Sequence, residues 1–363
     1  MKKSTIAAAA ICTLWLGLAV VAWLSPSKTL SDTERRELQQ FPDLSGESVL
    51  SGEFMEDFES FSLDQFPLRD NFRTLKALFH YNLLGQRDNN GIYLSQGHAA
   101  QLDYPLNAAS VDHALQVMNR IYDRYLQDSK VYLSIVPDKG YYLAEKEGYP
   151  SMDYNTLFEK MQKGMPYASY VNLTDCLSAE DYYKTDTHWR QERLETTAQR
   201  LCNAMGVPGP SGQELRPVAA QRPFYGVYYG QAALPLEPDT LYTMENDLLS
   251  QCRVYNYETG SYGRVYDTQK LAGKDMYEVF LSGSVSLLTI ENSQATTERE
   301  LIIFRDSFGS SIAPLLVQGY KTVTLVDVRY ISSQLLDRFL DFHGQDVLFL
   351  YSTLVLNNAF MLK

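Results

Sequence analysis

The sequence predicts an α/β fold: a parallel sheet with helices on both faces, carrying an antiparallel Tyr-rich insertion and preceded by one N-terminal transmembrane helix. Three observations predict it. Short continuous apolar runs such as Leu301-Ile302-Ile303-Phe304 alternate with helix-length segments along much of the chain. From about residue 207 to about 290 that alternation gives way to Tyr-, Gly- and Pro-rich pieces such as PFYGVYYGQ and RVYNYETGSYGRVY. Near the start, an apolar run from Thr5 to Leu24 follows Lys2 and Lys3 and ends at Ser25-Pro26-Ser27.

That first run, residues 1–25 with its flanks, is long enough to cross a hydrocarbon core of roughly 30 Å as a helix, whereas a cleavable signal core usually spans only about 7 to 15 residues. The expectation is a signal anchor, with a cleaved signal peptide as the competing reading. Lysines before the span and Asp32 and Glu34 after it place the N-terminus in the cytoplasm and export everything else. Residues 26–51 are polar with few apolar anchors and read as a stalk. The main domain is expected over 52–363, with the insertion at about 207–290.

Within the domain, Phe54, Phe58, Phe61, Phe66, Phe72, Leu75 and Leu78 recur at roughly helical spacing, broken at Pro67, and read as core-facing helix residues. A helix from about Ala108 to Gln127 leads into an apolar strand from Lys130 to Pro137. Ser169 to Leu173 reads as a short strand and Trp189 to Met205 as a helix. Towards the end, strands at 301–304, 322–327 and 347–351 alternate with helices at 309–318 and 332–342.

Composition excludes some functions. With 363 residues, 45% of them hydrophobic, the chain can bury a sizeable core. A formal net charge of -12 with no Lys/Arg block repels nucleic-acid phosphates, so no nucleic-acid partner is expected. Beyond Cys12 in the span, the body holds Cys176, Cys202 and Cys252. Three thiols allow one disulfide and one free cysteine, or serve simply as small buried apolar groups.

Two stretches carry chemistry. Lys184-Thr185-Asp186-Thr187-His188-Trp189-Arg190 places a carboxylate and an imidazole two residues apart. In extended backbone those side chains lie on one side of the chain, so Asp186 can orient His188. Ile303-Phe304-Arg305-Asp306-Ser307-Phe308-Gly309 puts a serine at a strand-to-helix turn, where its hydroxyl is exposed at the carboxyl edge of the sheet beside backbone N–H donors suited to an oxyanion. If His188 takes the proton of Ser307, the three residues form a Ser-His-Asp relay, which needs proximity and no particular chain order. The competing roles are structural: Ser307 as a helix cap, and Thr185 or Asp186 as a cap with Trp189 as a core anchor. A metal site on Asp186 and His188 lacks further ligands at suitable spacing, and no cofactor is expected.

Arg329 and Tyr330 follow a strand at the same expected edge and are candidates for contacting substrate, with an ion pair from Arg329 to Asp327 or Asp306 as the alternative. Lys139, after Val136-Pro137-Asp138, is a candidate for lining the site. Trp189 is a further candidate on the substrate side, against a packing role. Gly226 is a candidate backbone donor to the oxyanion.

Asp-Thr-His-Trp at 186–189, followed much later by Arg-Asp-Ser-Phe at 305–308, resembles the SGNH-hydrolase-like proteins of the alginate O-acetyltransferase type (AlgJ and AlgX) and, more closely, the DHHW proteins of Gram-positive bacteria. Glu34-Arg35-Arg36, Phe-Pro-Leu-Arg-Asp at 66–70, Val-Pro-Asp-Lys at 136–139 and Val-Asp-Val-Arg-Tyr at 326–330 extend the resemblance over most of the exported chain. Thr187 stands where DHHW proteins usually have their first histidine. The resemblance implies an exported, membrane-anchored O-acyltransferase that receives acetyl groups from a membrane-bound O-acyltransferase (MBOAT) and passes them to hydroxyls of a cell-envelope or secreted polysaccharide. A carbohydrate esterase, or a non-catalytic scaffold or polysaccharide-binding subunit of an acyltransferase complex, are the alternatives.

Overall fold

A computed structural model describes residues 3–31, 33–210 and 215–363; Lys2 and Asp32, which the sequence reading used as flanks of the span, lie outside the described residues. The described chain forms two compact units, one made of residues up to Asn90 with Tyr229–Pro235, the other of Gly91–Tyr228 with Leu236–Lys363.

The first unit begins with a helix over Lys3–Leu24 whose mean hydropathy reaches 2.2 and which buries none of its side chains in the protein. The segment read as a stalk carries local structure. Leu30–Ser31 pairs antiparallel with Arg36–Glu37, and Ser45 caps the helix Gly46–Ser51 with a reciprocal bond to Ser48. Helices at Glu53–Asp64 and Arg69–Leu78 follow, separated at Pro67 as expected. Phe41, Phe54, Phe58 and Phe61 form a mutually packed ring cluster. Phe72 and Leu75, expected to face a core, are instead exposed. The reason is local: the inward side of their helix is occupied by Ala77 and by Arg69 and Arg73, both paired with Glu34.

The second unit is built on an eight-stranded sheet: β1 Lys130–Val136, β2 Ser169–Tyr170, β3 Arg253–Asn256, β4 Ser261–Gly263, β5 Leu287–Glu291, β6 Glu300–Arg305, β7 Thr322–Val326 and β8 Asp346–Ser352, in the spatial order β4-β3-β5-β7-β6-β8-β1-β2. From β7 to β2 all neighbours are parallel. The sequence alternates its apolar side chains between the two faces. Leu301, Ile303, Leu348 and Leu350 pack on one face with Ala198, Leu201 and Ile312, while Ile302, Phe304, Val347 and Phe349 pack on the other with Val117, Ile121 and Leu157. Burial on both faces makes the parallel strands read as unbroken apolar runs.

The insertion is antiparallel, with Arg216–Ala219 pairing with Tyr242–Glu245. Its last strands do not stand apart from the main sheet. β5, whose Leu287 to Ile290 are buried, pairs antiparallel with β7 and carries β3 and β4 with it, so the central sheet is mixed. A second difference concerns the helix expected from Trp189. Trp189 bridges back to Tyr182 and the Arg190 N–H donates to the Asp181 carbonyl at 2.7 Å, so the helix starts only at Glu195. Among the described residues all four cysteines are unbridged; Cys202 and Cys252 sit in the core, where burial pushes their thiols up to about 12 and about 11.

Candidate active site

The parallel strands deliver their carboxyl ends to one edge. There the Asp306 carboxylate accepts the Phe308 N–H at 3.0 Å and the Ser352 N–H at 2.7 Å, and so joins the end of β6 to the end of β8. With Asp306 holding the helix start Phe308–Leu316, the Ser307 hydroxyl has no capping bond to make. The capping role that competed with the nucleophile role for Ser307 is therefore filled by its neighbour Asp306. Gly309 lets the turn close tightly: a Cβ there would lie 2.6 Å from Arg305 Cβ. The N–H groups of Gly309 and Ser310 donate to the carbonyls of Asp306 and Ser307. Among the described residues, the Ser307 N–H makes no hydrogen bond.

The Asp-Thr-His loop is the tip of a hairpin-like excursion closed by the Tyr182–Trp189 bridge and by Tyr183 N–H donating to the His188 carbonyl at 3.0 Å. Asp239 fixes its base. Its carboxylate accepts the N–H groups of Lys184 and Thr185, each at 2.8 Å, and the Thr185 hydroxyl at 2.6 Å. Thr185 Oγ1 in turn accepts the Gly226 N–H at 2.8 Å, and Asp186 Oδ2 accepts the Val227 N–H at 2.8 Å.

This scaffold brings Ser307, His188 and Asp186 into one chain of hydrogen bonds. His188 Nδ1 lies 2.6 Å from Asp186 Oδ1, and His188 Nε2 lies 2.7 Å from Ser307 Oγ. A carboxylate only accepts, so Nδ1 carries the hydrogen and Nε2 presents its lone pair to the serine O–H. Asp186 is fully buried and His188 only 9% exposed, while Ser307 is half-buried. The imidazole is clamped as well as bonded: Tyr277 stacks on its face at 3.8 Å between ring centres, and Phe308 packs at 5.1 Å. Tyr277 is itself held through its hydroxyl, 2.7 Å from Ser311 Oγ.

Trp189 is fully buried and its indole N–H donates to Ser311 Oγ at 2.8 Å, which makes it a packing anchor of the loop rather than a substrate contact. Gly226 is also removed from the oxyanion role expected of it, because its N–H is committed to Thr185. Its importance is steric: a Cβ would lie 2.3 Å from Asp186 Cβ and from the Thr185 carbonyl. Lys139 lies behind the loop and not along the serine. Its ammonium donates to the Tyr183 carbonyl at 2.9 Å and sits 5.0 Å over the ring of Tyr228. Burial pulls it down to about 7, against the partial support of Asp186, Asp239 and Asp138. Arg329 forms a two-pronged pair with Asp327 at 2.8 and 2.7 Å and lies over the exposed Tyr330 ring. Among the described residues, neither makes a hydrogen bond or ring contact with Ser307 or His188.

Asp239, Tyr277 and Gln191 were not legible as site residues. Gln191 ties the Ser307 helix to the insertion, donating to the Ser311 carbonyl and accepting the Met244 N–H. Asp239 and Tyr277 each stand in a segment with no motif around it, and only the three-dimensional fold brings them to the loop; Gln191 directly follows the Asp-Thr-His-Trp stretch, but nothing in that stretch shows which backbone groups its amide reaches.

The family model for DHHW proteins matches residues 154–326, a stretch containing Asp186, His188 and Ser307. Over that stretch, just under half of its length, the chain resembles DHHW proteins. Among solved structures it is similar to a DHHW family protein from Eubacterium siraeum, with a TM-score of 0.59 and 19% identity over 74% of this chain and 93% of that one. It is also similar to Bacillus cereus PatB1, solved with a sulfonyl adduct, with a TM-score of 0.55 and 17% identity over 73% and 95% of the two chains. More distant is the O-acetyltransferase domain of Pseudomonas putida AlgJ, with a TM-score of 0.44 and 14% identity over 74% and 92%. No curated protein matches the sequence at a significant level. Thr187, between Asp186 and His188, sets a neutral side chain beside the buried Tyr228.

Proposed function

We propose that this protein is an exported, membrane-anchored O-acyltransferase in which Ser307 carries an acetyl group to a hydroxyl of a cell-envelope or secreted polysaccharide. The observation that carries the reading is the continuous Asp186–His188–Ser307 chain, with both bonds at or below 2.7 Å. In the proposed reaction His188 Nε2 takes the proton of Ser307 Oγ as that oxygen attacks the acyl carbonyl, and returns it to the leaving group. The Ser307 N–H is the backbone donor for the oxyanion. A sugar hydroxyl, deprotonated by the same imidazole, then attacks the acyl-serine and carries the acetyl away, regenerating the serine.

The donor in this proposal is a membrane-bound O-acyltransferase, and the anchor is the apolar helix Lys3–Leu24 with the catalytic unit outside the cell. Bacillus cereus PatB1, which shares the fold, was solved with a sulfonyl adduct, and an activated serine hydroxyl is one of the groups that capture such an electrophile. Turnover of 4-nitrophenyl acetate by the full chain, with and without candidate glycans, tests the reading. Glycan acetylation that depends on Ser307 is the expected result. Release of acetate to water alone, unchanged by every acceptor, would make the protein an esterase, and absence of Ser307-dependent chemistry with the membrane donor present would leave it a scaffold.

A further inference from the structure

We propose that the helix Arg69–Leu78 and the turn Phe79–Leu83 lie on the outer surface of the lipid bilayer that holds the N-terminal span, with their apolar stripe inserted among the acyl chains. The inference rests on the membrane-anchored reading above. Leu68, Phe72, Leu75, Phe79 and Leu83 follow one another at steps of four, three, four and four residues and so fall on one face of the helix. They are 65%, 43%, 63%, 49% and 70% exposed. The opposite side is turned inward and is partly charged: Ala77 is fully buried, and Arg73 donates to the Gly230 carbonyl at 2.7 Å and pairs with Glu34. A helix that spends its arginines inward and leaves a leucine and phenylalanine stripe outward has the polarity of a surface facing lipid.

The occupant is identified by continuity with the span. Trp23 at the outer end of the N-terminal helix shares a cavity of about 330 Å³ with Phe58, Phe61 and Phe66. Phe66 in turn packs edge to face on Phe72, the second residue of the stripe, at 5.5 Å. Phenylalanine rings therefore link the end of a membrane-spanning helix, marked by a tryptophan of the kind that settles at the headgroup level, to the exposed stripe, with Ser25, Ser27, Ser62 and Gln65 also lining the cleft between them. The nearby helix Glu53–Asp64 bears Glu53, Glu56, Asp57 and Glu59, so insertion of apolar side chains and not attraction to anionic headgroups supplies the binding. Lys76, exposed beside the stripe, is placed to extend its ammonium to the headgroup phosphates.

The test uses the full-length protein in protein-free phosphatidylcholine vesicles. Nitroxide labels are placed on Leu75→Cys, Phe79→Cys and Leu83→Cys, and on Asp70→Cys as a reference for the water side, with the unsubstituted chain giving the background of its own cysteines. The expected result is a ratio of oxygen to aqueous nickel-complex accessibility several-fold higher at the three stripe positions than at position 70, in variants that keep the parent's near-UV circular dichroism. Equal, water-like ratios at all four positions in a chain that resists alkaline carbonate extraction would overturn the proposal and leave a membrane-embedded protein or a second copy as the occupant. A chain that washes off the vesicles would overturn the anchor and this inference together. Neither result depends on whether Ser307 forms an adduct.

Discussion

At the scale of single residues, the site is a buried carboxylate holding an imidazole in one tautomer. Asp186→Asn keeps the shape but can present an amide N–H to Nδ1, which moves the imidazole hydrogen to Nε2 and removes the acceptor for Ser307. The expected outcome is a fall in acylation rate of about 10⁴ with little change in stability, measured by stopped-flow release of 4-nitrophenol and by thermal unfolding. Lys139 gives a prediction in pH. Its folded value, about 7, lies below its ordinary value of 10.5. Across that window the unfolded chain holds the proton and the folded chain does not, so this group's contribution to stability is complete at high pH and is lost as pH falls toward 7. Compared with Lys139→Met, the parent's melting temperature should gain as pH rises from neutrality toward 10; a difference that stays flat with pH would show that Lys139 is charged in the folded protein. The serine, histidine and aspartate were legible in the sequence because they sit in compact motifs, but contact between them was not. Gly226, Trp189 and Lys139 were legible as neighbours of the site, and for Trp189 the packing role was open beside the substrate one, but the atoms each touches were not. Which way each polar group points is decided by Thr185, Ser311 and the Tyr183 carbonyl, partners that no local pattern reveals.

At the scale of elements, the strands announced themselves because each is buried on both faces, as the split of Ile302 and Phe304 from Leu301 and Ile303 between two cores shows. The helix after the Asp-Thr-His loop was placed six residues too early: helical apolar spacing begins only at Leu194, with Ala198, Leu201, Cys202 and Met205, while a backbone bridge to Tyr182 keeps Trp189 out of the helix. The exposed stripe on Arg69–Leu78 was misread for a related reason. Helical periodicity reports that a face is apolar, and it does not report whether protein or lipid covers it. The close approach of the Gly226 segment to the Asp186 loop predicts a large effect from one methyl group. Gly226→Ala should cost about 1–3 kcal/mol from overpacking against backbone and should also lower the acylation rate, because Asp186 must move. Unchanged unfolding and unchanged rate would mean that the loop yields freely and that its rigidity is not what positions the histidine.

For the whole molecule, a parallel sheet collects strand ends at one edge, and that edge receives the Ser307 turn, the Asp306 clamp to β8 and the Asp-Thr-His loop held by Asp239. The antiparallel strands extend this sheet at its far side and take no part in the relay themselves, although Gln191 and Tyr266 link their neighbourhood to the loop through Met244. The central claim is that the sheet edge forms a working nucleophile and not a relic of one. Intact-mass measurement of the full-length protein after brief exposure to 4-nitrophenyl acetate tests it most directly. The account predicts a single acetyl adduct that maps to Ser307 and is absent from Ser307→Ala and His188→Ala, both still folded. Adducts of equal amount in the parent and both variants, or no adduct on the parent even with its membrane donor supplied, would contradict it.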